Sequence, residues 1–169
     1  MLEAVKQPEA QAEVVYRSVV RVEPGAGRVK LVYLPLESKP VPMGLHGAVA
    51  AHYKTVEGSY TPTATTLDYI VGATAGCLLG TLLRALQVRN IETGQGRLKA
   101  QAVGELEKED GVLVIKRIRM QVHLQAEESQ RAAAERVIDV YAPQCPVYRS
   151  LHKAIAITSE LDFQPISTP

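Results

Sequence analysis

Two cysteines and one carboxylate are the residues of this chain whose types and spacing could do chemistry. Cys77 lies in "TLDYIVGATAGCLLGTLLRAL", nine residues after Asp68, and Cys145 opens "CPVYRSL", directly before Pro146. Thiols offer nucleophilic attack and reversible oxidation. The two positions differ in what they ask of a thiol. At the mouth of a helix, free backbone N–H groups and the positive dipole end favour the thiolate. In mid-helix, among apolar neighbours, desolvation favours the neutral thiol, so Cys77 needs a cation and access to substrate before it can react. Each cysteine taken singly also fits plain core filling, because free cysteine packs as a small hydrophobe.

The elements that must hold these residues follow from patterning. Residues 1–12 are a polar lead-in, 13–163 form one domain and 164–169 a tail. "EVVYRSVVRVE" alternates, with Val14, Tyr16, Ser18, Val20 and Val22 on one face. The turn "PGAG" at 24–27 and the alternating "RVKLVYLPL" complete a hairpin. "ESKPVPMG" at 37–44 reads as a loop and "LHGAVAAHY" as a third strand. Thr65 and Asp68 stand at capping-box spacing, with Asp in place of the usual Glu. Apolar residues then recur at helical spacing until a stop near Asn90. Gly72, Ala73, Ala75, Gly76 and Gly80 leave several faces of that helix small, which predicts close packing on more than one side. "RLKAQAVGELE" and "VLVIKRIRMQVHL" alternate around Asp110-Gly111, a hairpin signal. "AEESQRAAAERVIDVYA" is a second helix, a short third begins at Pro146, and "IAITSELDF" is a last strand. This order predicts an α+β fold with hairpin-paired strands and not a parallel β/α wind.

Composition narrows the partners. The 169 residues carry a net charge of only +1, too little field to steer the chain onto nucleic acid or an anionic membrane. The longest uncharged apolar run, 69–83, is shorter than the roughly 20 residues a bilayer requires. "MLEAVKQPEAQAEVV" lacks the apolar centre of a secretory signal. The expectation is a soluble, cytoplasmic protein. Two distant cysteines make no disulfide scaffold, and a cysteine pair that does bond in a reducing compartment is usually redox-active. No metal-ligand spacing such as C-x-x-C occurs, and "GATAG" lacks the lysine of a phosphate-binding loop, so no metal or other cofactor is expected.

The text around the cysteines resembles the OsmC/Ohr superfamily of thiol-dependent peroxidases. Two motifs carry the resemblance: Asp68 followed by "YIVGATAGC", and "CPVYRSL" after a long amphipathic helix. The order of elements from about 14 to 163 agrees as well. The resemblance implies an OsmC-like fold, with antiparallel sheets wrapped around two central helices in an intertwined homodimer, and sites at the dimer interface. It implies that Cys77 attacks a hydroperoxide, that Cys145 resolves the oxidised thiol as a disulfide, and that a dithiol, often of lipoyl type, reduces the pair. The better-studied branches of the family hold Glu where this chain has Asp68, which here could serve the site, cap the helix or do both. An early arginine lowers the thiol pKa in the peroxidases; Arg17, Arg21 and Arg28 are the candidates, with Arg28 favoured.

Two rivals remain. A non-catalytic member of the same fold would bind a small apolar ligand in the interfacial cleft. A thioesterase of hot-dog type, which the "LHG" entry resembles, would instead use His46 with Asp68. His46 and His52 are six residues apart and would share a face on a strand. His46, His52 or Tyr53 could line a pocket above Cys77. Tyr141 and Tyr148 on either side of Cys145 read as core filling.

Overall fold

The computed structural model describes residues 13–166. Strands β1 (Arg21–Pro24), β2 (Lys30–Tyr33) and β3 (Val41–Met43) form one antiparallel sheet in that order. A short helix α1 (Gly47–His52) leads to the long helix α2 (Thr66–Gln87). Strands β4 (Leu98–Glu109) and β5 (Val112–Ala126) follow, then α3 (Arg131–Val140), α4 (Pro146–Leu151) and β6 (Ala156–Pro165). The second sheet has the order β4-β5-β6, antiparallel between β4 and β5 but parallel between β5 and β6. The expected all-antiparallel pairing therefore fails at β6. Two helices lie between β5 and β6, and such a crossover returns the chain in the same direction.

Local chemistry explains most of the boundaries. Thr65 caps α2: its hydroxyl accepts from the Asp68 N–H at 3.1 Å, and its own N–H donates to Asp68 Oδ2 at 2.6 Å. The capping box thus closes with an aspartate. Beyond the helix end, Asn90 takes a φ of 57°, a turn asparagine tolerates. Asp110 and Gly111, both at positive φ, make the tight turn that joins β4 to β5.

Three segments depart from expectation. Residues 13–20 form no strand, and Val14, Val15, Tyr16, Val19 and Val20 are exposed; the hairpin begins only at Arg21. Alternation marks residues able to lie in a sheet, but a strand also requires a partner. The third strand falls at 41–43, inside the expected loop, while "GAVAAH" is helical. Three alanines in six residues favour helix, and His46 becomes its N-terminal flank. β6 extends to Pro165, two residues into the expected tail. The lead-in 1–12 and residues 167–169 lie outside the described residues.

The core forms where α2 meets the second sheet. Leu78, Leu82 and Leu86 recur every four residues and are fully buried. They pack with Met120, Val122 and Leu124 of β5, Ala134 and Val137 of α3, and Phe163 of β6. Burying each leucine is worth about 1.5–3 kcal/mol. By length and composition α2 could cross a bilayer, since a helix can carry Asp68 and Arg84 beyond the uncharged run. Here its leucine stripe is spent on the core. Its glycine face is not: a Cβ added at Gly72, Gly76 or Gly80 would meet nothing within 4 Å. Within one chain, α2 is therefore packed on one side and not on several.

α2 packs tightly on the sheet at Gly104 of β4, where an added Cβ would overlap Val71 Cγ2. Valine is stiff at χ1 and cannot swing away cheaply. Gly104→Ala is expected to cost about 1–3 kcal/mol by urea denaturation. Combining it with Val71→Ala should return part of the loss, and additive losses would contradict this packing.

Candidate functional site

The core that seats α2 also places Cys77. It precedes buried Leu78 and is itself only half-buried, on the edge of the leucine stripe. Cys145 arrives from the other side. A short 3-10 turn (Ala142–Gln144) swings the chain from α3 into α4, and Cys145 takes the N-cap position with extended backbone. Pro146 supplies the preset φ of the first helical position. The Cys145 Sγ, fully buried, accepts a hydrogen bond from the Tyr148 N–H at 3.5 Å.

Cys77 and Cys145 are neighbours in one apolar cluster, near enough for the Cys145 sulfur and the Val147 backbone to act on Cys77, but the sulfurs are not at disulfide distance and no hydrogen bond joins them among the described residues. Both are free cysteines. Burial pushes the Cys77 thiol above its ordinary value; the Val147 amide opposes this and the Cys145 sulfur adds to it. An open cavity of about 700 Å³ reaches Cys77 and is lined also by Thr81, Arg84, Val88, Arg89 and Tyr141. Tyr141 is nearly inaccessible, and its hydroxyl is 2.6 Å from Ser159 Oγ. Burial holds this phenol above its ordinary pKa. It fills core, as expected, and walls the cavity too. Tyr148 stacks on the His152 ring with centroids 5.0 Å apart.

Asp68 is not brought to the thiols. Nine residues along α2 amount to about 13 Å. Its Oδ2 accepts from the Thr65 N–H, from the Thr65 hydroxyl at 2.7 Å and from His46 Nε2 at 2.8 Å. Partial burial pushes its carboxyl up, but the Thr65 and His46 hydrogen bonds outweigh this and hold it below the ordinary value. The three candidate arginines also lie elsewhere. Arg28 lines a separate cavity of about 290 Å³ with Lys30, Tyr53 and Thr65. Arg21 lies over the Tyr33 ring and pairs with Glu23. Arg17 belongs to the segment without a strand. None of the three lines the thiol cavity, and neither do His46, His52 or Tyr53. His52 instead packs edge-on against Tyr53.

Residues 59–160, more than half of the chain, match the family described as OsmC-like protein. The chain belongs to that family. Solved structures agree in fold. An OsmC-like protein of unknown function from Vibrio cholerae superposes with a TM-score of 0.69 at 12% identity, covering 88% of this chain and 100% of that one. An OsmC-like protein from Mycoplasma pneumoniae gives 0.67 at 12%, covering 89% and 99%. The organic hydroperoxide resistance protein OhrB of Bacillus subtilis gives 0.59 at 15%, covering 89% and 100%. A comparison with curated proteins finds no match. The α+β, OsmC-like expectation is met, so the hot-dog alternative loses its fold, although His46 and Asp68 do meet.

Sequence reading did not pick out Arg84, Arg89, Thr81 or Gln144 as cavity residues. The signal for Arg84 was present: it stands seven residues after Cys77, two helical turns along the same face.

A carboxyl held below its ordinary pKa stabilises the fold above the unfolded-state pKa, and the contribution is lost as pH falls through the folded value. Asp68→Asn is expected to cost about 0.3–1.5 kcal/mol at pH 7, as other capping elements do. In urea titrations the difference from wild type should shrink below about pH 4. A difference constant down to pH 2 would show that the carboxylate charge has no part in it.

Proposed function

We propose that this OsmC-family protein reduces hydroperoxides through Cys77 and Cys145. The observation that carries the reading is that two cysteines distant in sequence fall in one apolar cluster, with Cys77 at the wall of an open cavity. The Cys77 thiolate attacks the distal oxygen of ROOH; the O–O bond breaks, and the alkoxide takes a proton and leaves as ROH. Cys77 is then a sulfenic acid. The Cys145 sulfur attacks it, a disulfide forms and water departs. An external dithiol of lipoyl type exchanges with that disulfide and restores both thiols. No metal or organic cofactor enters these steps. The setting is a reducing cytoplasm, in keeping with a role in oxidative-stress defence.

Cys77 alone is poorly poised, since burial favours its neutral form. The missing activation is assigned to a second copy. The open face at Gly72, Gly76 and Gly80 suits close approach of another helix, and the apolar segment 13–20 has no strand partner among the described residues. In a homodimer built on these surfaces, Arg28 and Asp68 of the second copy are the groups proposed to complete the site. Cys77, Cys145 and Asp68 are thus the proposed catalytic set.

One equivalent of an organic hydroperoxide should consume both thiols together in a thiol titration. Cys145→Ser should leave Cys77 carrying added oxygen by mass spectrometry. Two free thiols after the dose would end the peroxidase reading. Persistent binding of a small apolar ligand without turnover would instead favour the ligand-binding role.

Gly76→Leu is expected to weaken self-association about tenfold or more, from an overpacking cost of about 1–3 kcal/mol, read by sedimentation. Cys77 in the resulting single chains should be alkylated by iodoacetamide only at higher pH than in wild type. Superimposable pH profiles would remove the second copy from the activation.

A further inference from the structure

Tyr141 is a buried phenol that none of the proposed steps uses. Its partner is unusual for its place. β6 turns Ile157, Ser159, Leu161 and Phe163 to one face by alternation, and the three apolar members join the core. Ser159 stands among them, paired in register with fully buried Met120 of β5. A hydroxyl on such a face costs desolvation unless it is bonded. The Tyr141 and Ser159 hydroxyls share a hydrogen bond of 2.6 Å. Two apolar residues of similar shape would hold this position about as stably, since much of a buried bond only replaces the water lost. Stability therefore does not account for the pair, whereas a short directed bond fixes where the ring sits.

The ring carries the approach to Cys145. Tyr141 closes α3, with its N–H on the Val137 carbonyl at 3.0 Å. Its own carbonyl accepts from the Gln144 N–H at 2.9 Å, and the Ala142 carbonyl accepts from the Cys145 N–H at 2.9 Å. Residues 141–145 are thus one hydrogen-bonded strap, pinned to β6 at its first residue. Cys145 ends the strap and shares an apolar cluster with Tyr141 and Cys77. The two sulfurs are not at disulfide distance, so closure requires the strap to move. Cys145 must also give up its bond from the Tyr148 N–H. A strap pinned at one end turns about that point. A free one spreads over many orientations, few of them facing Cys77.

We propose that Tyr141 and Ser159 are positioning residues for disulfide closure, their bond being the pivot from which Cys145 reaches Cys77. In that step the Cys145 thiolate attacks the Cys77 sulfur and the S–S bond forms. The group on Cys77 leaves with the electron pair of its bond to sulfur. From a sulfenic acid, the leaving hydroxide takes the proton that Cys145 gave up and departs as water. The inference rests on the peroxidase reading for the pairing of the two cysteines but not for the oxidant.

One equivalent of dithionitrobenzoate, an aromatic disulfide, tests closure without peroxide. Half-buried Cys77 takes one thionitrobenzoate and releases the other. Cys145 then expels the second, and absorbance follows both releases. Cys145→Ser should give the first release alone. Tyr141→Phe and Ser159→Ala should each slow the second release about tenfold or more relative to the first, within the roughly hundredfold that a misplacement of about 1 Å allows. Each single variant leaves one buried hydroxyl without its partner and should unfold at lower urea. Tyr141→Phe/Ser159→Ala removes both, so its urea midpoint should recover while its second release stays slow. A rate that recovered together with stability would reduce the pair to a structural role and overturn the proposal. Second releases at the wild-type rate in both single variants would overturn it too. With a hydroperoxide, the single variants should accumulate sulfenic acid, captured by dimedone. Thiols that survive the hydroperoxide, while the second release still slows, would end the peroxidase reading and leave the positioning intact.

Discussion

The packing of Leu78, Leu82 and Leu86 against the inner face of β5 is the constraint on which the rest of the molecule depends. It sets both the rotation and the height of α2. Cys77, the neighbour of the first leucine, can then face only the margin of that core. The same core holds Val137 of α3 and so aims the turn that delivers Cys145. The thiol pair is a by-product of apolar packing at helical spacing. Loss of that packing would separate the sulfurs before it touched either cysteine.

This placement has a cost at the site. The apolar surroundings that hold Cys77 still also disfavour its charged form, and the one amide within reach does not compensate. A buried thiol becomes a useful nucleophile when fixed cations or dipoles replace the water it lost. Arg84 lies about two turns along α2 from Cys77 and Arg89 just beyond the helix end, and neither is among the groups that act on the sulfur. The candidate cation Arg28 and the carboxylate Asp68 sit at the opposite end of the same helix. One chain thus holds the parts of a thiol site at two separated places. Its glycine face and its unpaired apolar segment are the surfaces through which such places could be joined.

Asp68 shows how one side chain can answer two demands. Its carboxylate completes the cap of α2 and fixes His46, and these bonds keep it ionised. An ionised, rigid carboxylate at a helix start is well suited to orient a guanidinium. Capping and a site role are compatible because a carboxylate offers several acceptor positions.

Sequence alone determined what depends on neighbours along the chain. The capping box at Thr65 and Asp68, the Asp110-Gly111 turn, the proline-led start of α4 and the helical leucine spacing are local, and each was legible. Local signals also misled where composition admits two answers, as in "GAVAAH", which suits strand or helix until its surroundings choose. Tertiary structure alone decided the rest: that residues 13–20 lack a strand partner among the described residues, that β6 runs parallel to β5, that Asp68 stays away from Cys77, and that two arginines border the cavity. The reason is physical. Propensity and capping act over a few residues, whereas strand pairing, cavity walls and the gathering of two distant cysteines into one cluster depend on how distant surfaces share a limited core.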